Sequence, residues 1–118
     1  MGTRDSSRTG IPPGTLDMLI LKSLSRGPMH GYGIAEHIHH MSEDVLEVEE
    51  GSLYPGLRRL LIQGWVSAEW GQSENNRRAR FYRLTRGGQK LLEAEKRDWE
   101  QTAAIIARFF EFKAEDPA

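Results

Sequence analysis

The chain has no cysteine, which excludes disulfides and thiolate metal sites and fits a reducing compartment. No segment approaches the ~18 consecutive apolar residues that a membrane-spanning helix demands. The first fourteen residues are polar, with Arg4, Arg8, Gly10, Pro12 and Pro13, and they lack the apolar stretch of a secretory signal. A soluble, cytoplasmic protein is the expectation. Enzymatic chemistry is equally short of parts. Serine, histidine and aspartate all occur, but no glycine-flanked nucleophile, phosphate loop or paired-carboxylate arrangement stands out. A single domain of 118 residues also has little room for a substrate cleft. No catalytic residue and no cofactor is expected. A chain of this length still buries roughly 60 to 70% of its unfolded surface, so its core needs no staple.

Charge is scarce only in the sum. The net value is −1, yet the signs are strongly segregated. From Glu36 to Glu50 there are six acids and neither lysine nor arginine, whereas Glu74 to Lys90 holds six basic residues against one acid. A local positive surface is what steers a polyanion, so the small net charge does not argue against nucleic acid. The acidic stretch is then expected to face away from phosphates.

Residues 1–14 read as a flexible arm ending in the turn-prone Pro12-Pro13-Gly14. Thr15 is placed to cap a first helix in which Leu16, Leu19, Ile20 and Leu24 recur at helical spacing, closed by Ser25-Arg26-Gly27-Pro28. A second helix begins near Gly31, with Tyr32, Ile34, Ala35, Ile38 and Met41 outlining its buried side. Two short helices joined by Gly27-Pro28-Met29-His30 open a helix-turn-helix. Asp44 to Glu50 connects to a third helix that ends at Gly64. There the period changes. Trp65 to Trp70 alternates, Ala79 to Leu84 is rich in strand formers, and the intervening Gly71 to Arg78 is polar. From a cap at Thr85, one long helix is predicted to about Phe112. The fold expected is mainly α with a small β-hairpin: a winged helix-turn-helix over residues 15–85, followed by a C-terminal dimerisation helix and tail over 86–118.

In the third helix Leu53, Leu57, Leu60 and Leu61 share one face, while Ser52, Pro55, Arg58 and Arg59 fall largely on the other. An arginine in a helix that enters the major groove can donate two hydrogen bonds to guanine, so Arg58 and Arg59 are candidates for base or phosphate contact. They equally suit a solvated face, and the spacing does not separate them. Ser52 and Tyr54 begin the helix, where hydroxyls and free backbone N–H groups can bind phosphate. Ser52 also suits an N-cap, and Tyr54 a half-buried packing ring. Asn76, Arg77, Arg78 and Arg80 make the hairpin a cationic wing for a minor groove or a phosphate track. By strand alternation Arg78 and Arg80 share a face while Phe81 packs inward.

Along the last helix Leu92, Trp99 and Ile106 recur at intervals of seven, joined by Ala103 and Phe110 four beyond the last two. That seam suits a second copy of the helix, which predicts a homodimer. Trp99 either fills the interface or offers a flat platform to a small aromatic effector. His37 and His40 lie one helical turn apart, but a structural zinc site takes four ligands, usually with cysteine, and no second pair is visible. No metal site is assigned, and His30 is expected to hydrogen-bond in the turn between the helices.

Leu16-Asp17-Met18-Leu19-Ile20-Leu21, Gly27-Pro28-Met29-His30-Gly31-Tyr32, Gly51-Ser52-Leu53-Tyr54-Pro55, Arg59-Leu60, Gly64-Trp65 and Tyr82-Arg83-Leu84-Thr85 with Gly88 together resemble the PadR family of bacterial transcriptional regulators. The likeness runs over about residues 14 to 112. The single C-terminal helix is similar to the shorter branch of that family, and Ser73 to Arg80 looks like its acidobacterial-type subgroup. The resemblance implies a winged helix-turn-helix with a C-terminal dimerisation helix, which binds double-stranded operator DNA as a homodimer and usually represses. Two departures stand out. Gly56 occupies a position where relatives often carry alanine, which loosens the third helix by up to ~1 kcal/mol. Glu49-Glu50 precedes the signature, where acids repel phosphate while favouring the helix N-terminus. The alternative reading is a winged helix used as a protein-interaction module, which the acidic stretch and the near-zero net charge support.

Overall fold

The computed structural model describes residues 14–113, so the expected arm falls, save for Gly14, outside them. Helix α1 spans Thr15–Leu24 and buries Leu16, Ile20, Leu21 and Leu24. Thr15 is its first helical residue rather than its cap. Gly14 takes the cap position at φ 90 and contributes no side-chain hydrogen bond. After a turn at Gly27, Met29–His30 form strand β1, and Gly31–Met41 form α2. His30 serves both elements. Its extended backbone pairs with a neighbouring strand, and its ring Nδ1 accepts the Gly33 N–H at 3.0 Å as the N-cap of α2.

Helix α3 covers Glu50–Ile62, with Glu49 as its N-cap. Ser52 is not the cap, because its own N–H and that of Leu53 both donate to the Glu49 carbonyl at 2.9 Å. The helix stops in a Schellman arrangement: Gly64 takes φ 81, its N–H donates to the Leu61 carbonyl, and the Trp65 N–H donates to that of Leu60. Trp65 is held in this cap, so strand β2 begins one residue later than its alternation suggests and runs Val66–Gln72. Strand β3 is Arg78–Leu84, and Arg86–Glu111 form α4, capped by the Thr85 hydroxyl, which accepts from the Gly88 N–H at 3.0 Å.

The sheet is antiparallel in the order β1-β3-β2. It therefore has one strand more than the hairpin expected from sequence, since β1 is only two residues long and too short to alternate. Ile20 and Leu21 of α1, Ile34 and Ile38 of α2, and Leu53, Leu57 and Leu60 of α3 meet Val66, Tyr82 and Leu92 in one core. Tyr82, not Phe81, is the β3 residue that enters it. Phe81 lies on the opposite sheet face, edge-on to His30 with ring centroids 5.3 Å apart. Helix, helix, helix, strand, strand is a winged-helix order, and α4 extends from it.

Candidate nucleic-acid interface

The core-facing stripe of α3 comprises Leu53, Gly56, Leu57 and Leu60, which leaves Tyr54, Pro55, Arg58 and Arg59 exposed. Arg58 and Arg59 are not equivalent. The Arg59 guanidinium donates to Asp17 Oδ1 of α1 at 3.0 Å, whereas Arg58 makes no side-chain hydrogen bond or ion pair with any described residue. The Tyr54 ring lies over Gly31, where a Cβ would come within 2.8 Å of the ring, so the tyrosine braces α3 against the start of α2. Burial, the nearby Glu50 carboxylate and Tyr82 raise the Tyr54 pKa, so its hydroxyl remains a proton donor at neutral pH.

The wing is built by a tight turn. Asn76 donates its N–H to the Ser73 carbonyl at 2.9 Å, the Ser73 N–H returns to the Arg77 carbonyl at 2.8 Å, and Asn76 itself takes φ 60. Asparagine tolerates this left-handed conformation better than most residues, so Asn76 has a turn-forming duty in addition to any contact it makes. Arg77 is exposed at the base of the turn. The register Gln72↔Arg78, Trp70↔Arg80 and Ala68↔Tyr82 places Arg78, Arg80 and Trp70 on the sheet face that carries Tyr82 into the core. The Arg78 guanidinium stacks on the Trp70 ring, 4.4 Å from its centroid.

This face and the first turns of α2 and α3 enclose an open cleft of about 530 Å³, lined by His30, Tyr32, Tyr54, Trp70, Arg77, Arg78 and Arg80 among others. The only acid between Glu74 and Lys90 is held at its edge: the Glu74 carboxylate lies 3.5 Å from His30 Nε2. Its own backbone N–H first, and then His30, lower the Glu74 pKa. Two members of the acidic stretch stand beside cleft tyrosines: Glu36 accepts the Tyr32 hydroxyl at 2.9 Å, and Glu50 is near Tyr54. Ser52 is half-buried in the first turn of α3.

The model of the transcriptional regulator PadR-like family matches residues 20–94. The chain belongs to the PadR-like family. It is similar to a transcriptional regulator from Clostridium thermocellum, at 29% identity and a TM-score of 0.74 over 81% of this chain and 93% of that one. A PadR family regulator from Eggerthella lenta gives 29% identity and a TM-score of 0.74, covering 85% of each chain. Another from Clostridium difficile gives 27% and 0.72, over 82% of this chain and 99% of that one. Membership makes the protein a DNA-binding transcriptional regulator rather than an enzyme.

The residues expected to form a seam along α4 differ in exposure. Leu92 is only 7% exposed and packs with Leu91 onto the chain's own core, so it is not available to a partner as the seven-residue spacing suggested. The exposed part begins beyond the body. Trp99 is 59% exposed, Phe110 84%, and Ile106 and Phe109 are also open, while Ala103 is half-buried. Among the histidines, His37 accepts a hydrogen bond from Arg26 at 2.9 Å. Burial, then Arg26 and His40, lower its pKa. No helix among the described residues is long and apolar enough to cross a membrane. Sequence reasoning missed Asp17, Glu74 and Trp70. For Trp70 a signal existed, because centring the hairpin on Asn75 brings Trp70 opposite Arg80.

Proposed function

We propose that the protein is a cytoplasmic homodimeric repressor that binds a palindromic operator. Residues 15–85 form the DNA-binding unit, 86–118 the dimerisation helix and tail, and 1–14 an arm. Helix α3 enters the major groove and the wing lies over the flanking phosphates or minor groove. Trp99, Ala103, Ile106 and Phe110 pair two α4 helices, and a small aromatic effector contacting Trp99 alters the dimer geometry and releases DNA. The observation that carries the reading is the cleft itself: Tyr54 of α3, a helix that also exposes Arg58 with no partner among the described residues, lines it together with the wing's Arg77, Arg78 and Arg80. A groove reader needs one element for base edges and another for phosphates.

Within this reading Arg58 is the base-contacting candidate and Arg59, tied to Asp17, a phosphate-contacting one. Ser52, Tyr54, Asn76, Arg77, Arg78 and Arg80 contribute phosphate contacts. A binding-site selection followed by gel-shift titration over a range of salt tests this. Arg77→Ala is expected to weaken binding to all duplexes alike and to lower the salt slope by roughly 1, whereas Arg58→Ala changes sequence preference. Half-sites about 34 Å apart are expected for two recognition helices held by one seam. If no salt-sensitive, sequence-preferring complex forms, the protein is instead a winged-helix interaction module.

A further inference from the structure

Trp70 belongs neither to the core nor to the residues assigned above. It is 56% exposed on β2, four residues beyond Val66, where the sheet has left the body of the domain. A large aromatic in that position gains little from burial. Its specific contact is with Arg78, whose guanidinium carbon lies 4.4 Å from the ring centroid. In the antiparallel register Trp70 stands opposite Arg80, so Arg78 is its diagonal neighbour on the same face. Arg78 has no carboxylate partner among the described residues, since Glu74 is held by His30.

Stacking engages the flat face of a guanidinium and leaves its N–H edge free to donate. A long arginine side chain otherwise samples many rotamers, and ordering it on binding costs affinity. We infer that Trp70 is a positioning residue for DNA binding, which holds the Arg78 guanidinium at the mouth of the cleft with its N–H edge presented to a backbone phosphate. This role rests on the DNA-binding reading above. Trp70 acts through Arg78, so the two form one functional unit.

The test measures affinity and salt slope on the duplex recovered by selection with the unaltered protein, for Trp70→Ala, Trp70→Phe, Arg78→Ala and the double variant Trp70→Ala/Arg78→Ala, with thermal melting in parallel. Trp70→Ala is expected to weaken binding about three- to fivefold per wing, hence about ten- to twenty-five-fold for a dimer engaging two wings. Trp70→Phe, which keeps a π-face, stays within about twofold of the unaltered protein. In the Arg78→Ala background the tryptophan change has no further effect, and the melting curves of the Trp70 variants overlay that of the unaltered protein. Binding indifferent to Trp70→Ala, losses that multiply in the double variant, or equal losses from Trp70→Phe and Trp70→Ala would each overturn the assignment. Failure of the unaltered protein to form any salt-sensitive complex overturns the DNA-binding reading itself.

Discussion

Among the described glycines, Gly88 has the least freedom to change. It is buried in the first turn of α4, where a Cβ would collide with the backbone carbonyl of Trp65 and crowd Leu84. Helix propensity favours alanine over glycine by up to ~1 kcal/mol, but a backbone clash outweighs that gain. Gly88→Ala is expected to destabilise the fold by about 1–3 kcal/mol, read as a lower urea midpoint with an unchanged slope. An unchanged midpoint would mean that α4 can shift away from the hairpin at no cost. At Gly56 the contrast is instructive. A Cβ there meets Asp17 Oδ1 at 3.3 Å and Ile20 Cδ1 at 3.4 Å, so the glycine fits a close α1–α3 approach as well as loosening the helix.

At the scale of elements, the joints depend on side chains that serve two elements at once. His30 caps α2, lies edge-on to Phe81 of β3 and approaches Glu74 of the wing turn. Thr85 caps α4 while its hydroxyl donates to the Gly64 carbonyl at 2.8 Å, which ties the end of α3 to the start of α4. Loss of a cap typically costs about 1 kcal/mol. His30→Ala is therefore expected to lower stability by about that amount in urea, and His30→Asn, which can cap but cannot reproduce the ring contacts, recovers most of it. If asparagine recovers nothing, the ring contacts rather than the cap hold this joint. The pairing of β1 with β3 was invisible beforehand because two residues carry no period, and β1 exists only where the cap's extended backbone meets a strand edge.

For the molecule as a whole, the decisive feature is that α4 outruns the domain it starts on. Its 26 residues extend about 39 Å, and the long axis of the chain is 63 Å against 32 and 26 Å across. Leu91 and Leu92 anchor the first part, and the rest leaves Trp99, Ile106, Phe109 and Phe110 in the open. Contiguous exposed apolar surface of this kind marks an association site. Under the homodimer proposal, Trp99→Ser combined with Phe110→Ser is expected to yield a monomer by light scattering, with the winged helix still folded and operator affinity sharply reduced. A variant that stays dimeric places the seam elsewhere.

The sequence alone determined the helices, the wing and the cationic segment, because each depends on local periodicity, turn residues or charge along the chain. The leucine stripe of α3, the Thr85 cap and the ends of the long helix are of this kind. Three matters were left to the tertiary structure. Leu92 went inward because α4 lies across α1 and β3 at that level, which a seven-residue spacing cannot register. Arg58 and Arg59 separated because Asp17, forty-two positions before Arg59, lies beside one and not the other. Tyr82 rather than Phe81 entered the core because the face β3 turns inward follows from how the sheet docks on the helices, which alternation within the strand does not record. Local patterns record what each segment prefers, and only packing between distant segments decides which preference is satisfied.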